Sequence, residues 1–179
     1  SESNQALFKA LASVDVLAAV VRAFTDEAVF HLDGSVDPRR DLDAIQAELL
    51  LNDLLFLEKR LERLAKEQAR RGPIGVQEQT MLTKLQSHLN DNHPLRTLPL
   101  DAQEQKLLSG TPLLTRKALL VILNVDEGQL TGLGLRPSAL PSPTPLTAGY
   151  PGLVASGVHM VQVSAKIEEE LAQLDDPAE

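Results

Sequence analysis

The sequence has no cysteine and no tryptophan, and aromatic residues make up only 3% of its 179 positions. Without cysteine, the chain has no disulfide, no thiolate metal site and no thiol nucleophile. Hydrophobic residues still account for 43%, so we expect an aliphatic core of helices packed on a parallel sheet or on each other. Such a core in a reducing compartment needs no covalent cross-link.

Positive charge is also scarce, because 17 basic residues face 25 acidic ones and the formal net charge is -8. This balance argues against a surface that attracts phosphate backbones in general, so we expect no DNA binding and only local contacts to RNA. Residues 1–5 lack the basic and apolar segments of a signal peptide, and no apolar run is long enough to span a bilayer. We expect a cytoplasmic protein without membrane association. Because the chain begins without Met and inside a predicted helix, we also expect its native start to lie elsewhere.

Three apolar runs have the length and composition of buried strands. Residues 14–24 predict a strand covered on both faces, with a buried helix as the alternative. Residues 117–123 predict a parallel strand, and residues 158–163 predict a shorter one before an acidic helix over 167–174. Between the last two strands, residues 128–152 are rich in Gly and Pro and predict a loop.

A helical hairpin is predicted between the first two strands. Asp37 and Pro38 supply an N-cap and a first helical residue, and Gly72 and Pro73 end the helix. One face of this helix carries leucines at alternating spacings of four and three, which indicates a packing seam: Leu50, Leu54, Leu57, Leu61 and Leu64. An amphipathic helix over residues 76–89 provides the antiparallel partner, and a short helix is predicted over 101–108.

These elements predict an α/β fold in which a parallel sheet carries an inserted antiparallel helical hairpin. We divide the chain into a first part of the sheet domain at 1–36, the helical insertion at 37–110 and a second part of the sheet domain at 111–179.

Two polar motifs each follow directly after a predicted strand, where ligands of parallel sheets collect. They are Asn124-Val125-Asp126-Glu127 and Ser164-Ala165-Lys166. Each has a simpler explanation, since the first is compatible with a turn whose Asn and Asp bond their own backbone, and Ser164 is compatible with a plain N-cap.

In this order, the two motifs resemble the fourth and fifth nucleotide motifs of translation-factor-type GTPases. The usual fourth motif there is Asn-Lys-x-Asp, and Val125 and Glu127 depart from it in the manner of the Obg-like ATPases, or YchF family. Further similarity lies in residues 8–24, in Gly34-Ser35-Val36-Asp37-Pro38 with Asp41, in residues 48–54 and 57–64, and in Thr111-Pro112-Leu113-Leu114-Thr115 with Lys117. The resemblance implies a partial P-loop NTPase sheet with a coiled-coil arm.

The resemblance also implies an ATP site. Asn124 is expected to contact the adenine, Val125 to lie against the base and Glu127 to occupy the discriminating position. On the other side of the base and ribose, the implied residues are Ser164, Ala165 and Lys166. A carboxylate held in the guanine-reading position repels the lone pair of the adenine ring nitrogen, which fits the departure from Asp.

No Gly-x-x-x-x-Gly-Lys-[Ser/Thr] motif occurs in the sequence, so these residues provide no phosphate cradle and no magnesium ligand. We expect the parent protein to be a ribosome-associated ATPase that uses ATP and Mg²⁺, and the chain by itself to be inactive, without catalytic or metal-binding residues. The alternative is a non-catalytic interaction module whose hairpin docks and whose nucleotide motifs are vestigial.

Basic residues cluster towards the turn of the hairpin, interleaved with glutamates: Lys59, Arg60, Arg63, Lys66, Arg70 and Arg71. One interpretation is a tip that touches ribosomal RNA, as in the family that the chain resembles. The other, which we favour on sequence alone, is a solvated face with Glu62–Lys66 and Glu67–Arg71 pairs. His88 and His93 are expected to lie apart on the surface and not to bind metal.

Overall fold

The computed structural model describes residues 2–131 and 158–174. Six helices are present in these ranges: α1 (Glu2–Ala12), α2 (Pro38–Arg71), α3 (Val76–Asn90), α4 (Ala102–Leu107), α5 (Glu127–Thr131) and α6 (Ala165–Leu174). The strands are β1 (Val16–Arg22), β2 (Ala118–Asn124) and β3 (His159–Val163), and 3₁₀ turns cover Leu95–Thr97 and Leu114–Arg116. None of the helices described is both long and apolar enough to cross a membrane.

The three predicted strands form one sheet in the order β1-β2-β3. Strands β2 and β3 are parallel, with a register that runs from Leu120 opposite His159 to Asn124 opposite Val163. A helical segment follows β2 and another follows β3, so the prediction of an α/β fold with a parallel sheet is confirmed. The Gly- and Pro-rich segment begins with the five-residue helix α5, and the remainder of the predicted loop, up to residue 152, lies outside the described residues.

Strand β1 differs from the prediction, because it is not covered on both faces. Leu17, Ala19 and Val21 are buried, whereas Val16 and Val20 on the opposite face are 55% and 67% exposed. Both faces carry aliphatic side chains, so the apolar run could not distinguish a strand covered on one face from a strand covered on both.

The chain divides into two compact units, one comprising Ser1–Leu17 with Ile45–Ala118 and the other Ala18–Ala44 with Leu119–Glu179. The predicted ranges 1–36, 37–110 and 111–179 stay a prediction.

In the first unit, α2 and α3 pack as the predicted hairpin around a leucine-rich core. The buried members of this core are Leu50, Leu57, Met81, Leu82, Leu85, Leu89, Leu95, Leu108 and Leu113. Leu54 and Leu61 are half-buried against it, so the seam predicted from their spacing is confirmed. Each fully buried leucine side chain contributes about 1.5–3 kcal/mol relative to an exposed one.

The turn of the hairpin depends on two glycines. Helix α2 ends at Arg71, and Gly72 follows with a φ of 85°, the left-handed conformation in which glycine ends helices. Gly75 precedes α3 with a φ of 65°. Across the hairpin, Arg60 Nε donates to Glu78 Oε1 over 2.6 Å, and Gln68 Nε2 donates to Gln79 Oε1 over 3.0 Å.

A buried carboxylate ties α2 to the segment that leads into β2. Asp53 is fully buried, and it accepts hydrogen bonds from Leu114 N–H (2.8 Å), Thr115 N–H (2.8 Å) and Thr115 Oγ1 (2.7 Å). Burial raises the pKa of Asp53, against the lowering effect of the bonds from Thr115 and Leu114. Asp53 lies four residues after Leu49 and four before Leu57, so the helical period already places it on the apolar face of α2.

His88 and His93 are closer than their positions on a helix suggested. Helix α3 ends at Asn90, and Asn92 has a φ of 61°. This turn brings the two imidazole rings to 5.3 Å between centroids. His88 Nε2 also lies 2.9 Å from Thr97 Oγ1. The expectation that the two residues lie apart is therefore wrong, whereas His93 is exposed as expected and His88 is half-buried.

Candidate functional site

The two polar motifs meet at one edge of the sheet. Because β2 and β3 are parallel and in register at Asn124 and Val163, both strands deliver the residues that follow them to the same place. Ala165 N–H donates to Asn124 Oδ1 over 3.0 Å, across 41 positions of sequence. Val125 N–H donates to Val163 O over 2.8 Å. The motifs are therefore joined by hydrogen bonds.

The six residues singled out from the sequence differ in exposure. Val125 and Ser164 are buried, each only 3% exposed, and Asn124 is half-buried. The other three are exposed: Glu127, Ala165 and Lys166. Val125 and Ser164 thus belong to the core beneath this edge, while the Glu127 carboxylate and the Lys166 ammonium are accessible from solvent.

The motif after β2 is not a turn that bonds only its own backbone. Asn124 Oδ1 accepts from Ala165 N–H, and Asp126 Oδ2 accepts from Thr25 N–H over 3.2 Å. The alternative explanation of these two oxygens as local turn acceptors is therefore wrong. Only the end of the motif is locally capped, since Asp126 N–H donates to Gln129 Oε1 over 2.8 Å.

The loop after β1 is a third part of the site, and sequence reasoning missed it. Ala23 N–H donates to Asn124 O over 2.7 Å, and Gln129 Nε2 lies 3.4 Å from Ala23 O. Together with the bond from Thr25 to Asp126, these contacts place residues 23–25 against the first motif. The signal was available, because β1 was predicted as a strand and its carboxyl end had to reach the same edge if it was parallel.

This edge of the sheet combines hydrogen-bonding groups of both kinds. Since Asn124 Oδ1 is engaged as an acceptor, the amide orientation is set, and the Nδ2 group supplies two N–H donors. Glu127 adds an acceptor and Lys166 adds a cationic donor. Hydrogen-bond donors and acceptors on one rim, above buried aliphatic residues, suit recognition of a base by its edge.

A cluster of charges lies further along the loop that follows β1. His31 Nε2 is 3.0 Å from Asp41 Oδ2, and Arg40 Nη2 is 2.8 Å from Asp41 Oδ1. Burial raises the pKa of Asp41, but the bonds from Arg40 and His31 together outweigh it, and the net shift is downward. A cavity of about 440 Å³ lies beside this loop, with Arg22, His31 and Ser35 among its lining residues.

Sequence reasoning did not single out His31, because its partner lies ten positions away on another element. The predicted N-cap is confirmed: Asp37 Oδ1 accepts from the N–H groups of Arg39 and Arg40, each over 3.1 Å.

Comparison with known proteins gives a consistent set of relatives, although no family model matches the sequence. The chain is 34% identical over 163 residues to the "Ribosome-binding ATPase YchF" of Bacillus subtilis, covering 90% of the chain and 42% of that protein. It is 35% identical over 121 residues to the "Obg-like ATPase 1" of Schizosaccharomyces pombe, covering 64% of the chain and 31% of that protein.

Among solved structures, the fold matches the Schizosaccharomyces pombe YchF GTPase with a TM-score of 0.76 and 27% identity. That match covers 96% of the chain and 45% of the other protein, so the chain spans less than half the length of its relatives. On this agreement of sequence and fold, the chain belongs to the YchF/Obg-like ATPase family.

Proposed function

We propose that this chain supplies the base-recognition part and the helical arm of a ribosome-associated protein that binds and hydrolyses ATP. The observation that carries the proposal is the hydrogen bond from Ala165 N–H to Asn124 Oδ1, which joins the two nucleotide motifs at one edge. Relatives whose names include ATPase and ribosome binding support the same conclusion.

In this proposal, the Asn124 amide contacts the adenine and Glu127 discriminates between bases. Glutamate is one methylene longer than the aspartate of the usual motif, so its carboxylate reaches a different point on the base. Lys166 and the backbone of Ser164 and Ala165 line the base and ribose from the other side. Val125, which is buried, lies against the base from beneath, and its N–H group bonds β3.

The proposal assigns hydrolysis to the whole protein and not to this chain by itself. Phosphoryl transfer depends on groups that position the phosphates and Mg²⁺, and the 179 residues contain no Gly-x-x-x-x-Gly-Lys-[Ser/Thr] motif. Within residues 2–131 and 158–174, no group of three His, Asp or Glu side chains could hold a metal ion. We therefore expect no ATP hydrolysis by the chain alone.

NMR titration of the isotopically labelled chain with adenosine and guanosine at millimolar concentration tests base recognition. Adenosine is expected to shift the amide signals of residues 124–127 and 164–166, with weak affinity because no phosphate cradle contributes. Glu127→Asp is expected to raise the affinity for guanosine relative to adenosine, whereas Glu62→Asp, a conservative change at an exposed position of α2, should leave both affinities unchanged. Absence of shifts at both motifs in the wild type would favour the interaction module with vestigial motifs.

We further propose that the arm contacts RNA through one basic stripe on α2, formed by Lys59, Arg63, Lys66 and Arg70. Spacings of four, three and four residues place these side chains on one side of the helix, and all four are exposed. The predicted Glu62–Lys66 and Glu67–Arg71 ion pairs are not formed, because the only ion pair of α2's basic cluster among the described residues is Arg60–Glu78. In the described part of the chain, none of the four stripe residues therefore forms an ion pair.

Salt dependence of binding to ribosomes or ribosomal RNA tests the arm. Replacing all four stripe residues with Gln is expected to weaken binding and to flatten the slope of log K against log salt by about 0.7–0.9 for each phosphate that the arm no longer neutralises. A variant with Lys84, Lys106, Arg39 and Lys9 replaced by Gln removes equal charge at positions outside the stripe, although Arg39 lies at the start of α2 and Lys84 on α3, and serves as the control for charge alone. Equal slopes for the two variants would refute a local interaction with RNA.

A further inference from the structure

Arg22, the last residue of β1, uses its guanidinium to hold the backbone of the following loop. It donates to four carbonyl oxygens: Phe24 at 3.1 Å, Asp26 at 3.0 Å, Val29 at 2.9 Å and Phe30 at 3.5 Å. Its Cζ also lies 4.5 Å from the centre of the Phe24 ring, a cation–π distance. Among the described residues, Arg22 forms no ion pair with a carboxylate.

The same loop contacts the motif that carries the proposed base-reading residues. Ala23 N–H donates to Asn124 O, and Thr25 N–H donates to Asp126 Oδ2. Asp126 immediately precedes Glu127, the first residue of α5. Residues 23–25 thus lie between the guanidinium on one side and the motif on the other.

We propose that Arg22 is a positioning residue for the segment 124–127. By holding the Phe24 carbonyl, it fixes the peptide plane that also contains the Thr25 N–H group, and so the direction of that N–H. Its bond to the Asp26 carbonyl holds the chain on the other side of Thr25. That N–H group bonds the side chain of Asp126. Asp126 in turn fixes the start of α5, and so the position of the Glu127 carboxylate. The inference rests on the proposed function only for what Glu127 reads.

Bonding four carbonyl oxygens at once requires the planar, branched guanidinium of arginine. Its N–H donors point in fixed, divergent directions and reach several carbonyls at once, whereas a lysine ammonium is a compact charge on a flexible stem. Arg22→Lys therefore keeps the charge but removes most of the hydrogen bonds to the loop. Arg22→Gln removes both.

Amide hydrogen exchange followed by NMR on the 179-residue chain tests this role. Arg22→Gln is expected to speed exchange of Thr25 N–H and of the capping amides of Gln129 and Leu130, which bond to Asp126 O. An acceleration of about tenfold or more is expected from the loss of hydrogen bonds to a charged group. Arg22→Lys should show a smaller increase at the same amides, and Arg39→Gln, at an exposed arginine, should show none.

Two results would overturn the inference. One is acceleration confined to residues 24–30, which would make Arg22 a local loop residue. The other is equal acceleration at Val121, in the middle of β2, which would indicate general destabilisation; Arg22→Lys supplies the comparison if Arg22→Gln does not fold.

Nucleoside titration of the same variants separates this inference from the proposed function. If the wild type binds adenosine, Arg22→Gln is expected to reduce its preference for adenosine over guanosine, and an unchanged preference would count against positioning. If the wild type binds neither nucleoside, the proposed function fails, while the exchange data still decide whether Arg22 positions the segment.

Discussion

Replacing Asp53 with Asn is expected to destabilise the first unit through a single misplaced donor. The carboxylate accepts from Leu114 N–H on one oxygen, and from Thr115 N–H and Oγ1 on the other. An amide turns one of those oxygens into an NH₂ group, and either orientation sets it against a backbone N–H. Leaving one buried donor unsatisfied costs about 1–3 kcal/mol, which corresponds to a fall in Tm of about 2–4 °C per kcal/mol for a chain of this size.

Urea unfolding followed by circular dichroism measures this cost, with Asp43→Asn as the matched control. Asp43 lies exposed on the same helix, so its replacement should change the free energy of unfolding by less than about 0.5 kcal/mol. Equal effects of the two changes would refute the reasoning.

A second test is the pH dependence of the stability difference between wild type and Asp53→Asn, which reports the direction of the pKa shift of Asp53. Because burial raises the pKa of Asp53, the folded state holds this proton more tightly than the unfolded state does. The contribution of Asp53 to stability is therefore fully present below its unfolded pKa and is lost as pH rises through its folded pKa. The difference in unfolding free energy between wild type and Asp53→Asn should shrink over that interval. A difference that grows instead would mean that the three hydrogen bonds outweigh burial.

Three further predictions concern other contacts. The pKa of Asp41 is lowered in the folded state, so its stabilising effect should be present above its unfolded pKa and lost as pH falls through its folded pKa. Acid unfolding curves should show this pH dependence for the wild type and not for Asp41→Asn. Gly75→Ala should reduce Tm more than Gly72→Ala. Both sites have a positive φ, which alone costs an alanine about 1–2 kcal/mol, but only at Gly75 would the added Cβ lie 2.8 Å from Leu64 Cδ1. Leu57→Ala, in the hairpin core, should cost about 2–5 kcal/mol in denaturant unfolding, while Leu55→Ala, 46% exposed, should cost far less.

Features that depend on regular periodicity were predictable from the sequence. The leucine seam of α2, its end at Gly72 and the three strands all follow from local patterns, and the edge shared by the two nucleotide motifs follows from parallel strands. Side-chain pairing was not predictable in the same way. Arg60 pairs with Glu78 across the hairpin over 2.6 Å, because packing of α2 on α3 brings together residues 18 positions apart, whereas the local i,i+4 glutamates stay unpaired with the basic stripe.

Burial of single residues was the other limit. Asp53 lies four residues from both Leu49 and Leu57, so the helical period places it on the apolar face of α2. Its partners, however, lie 61 and 62 positions away, and nothing near it in the sequence identifies them. Likewise, the aliphatic residues of β1 fit both faces of a sheet equally well, and the sequence could not show which face is exposed.

The departure of the fourth motif from Asn-Lys-x-Asp is consistent with the burial of its second residue. In this chain, the side chain at position 125 is 3% exposed, and its N–H group bridges to β3. A lysine there would have to carry its ammonium out of an apolar environment along its stem, because an unpaired buried charge is strongly unfavourable. Valine satisfies the same backbone bond without that cost. The residues that hold the two motifs together are thus distinct from Glu127 and Lys166, which are exposed and which we propose to contact the base. We therefore expect Glu127→Asp to change base preference without disturbing the scaffold beneath it.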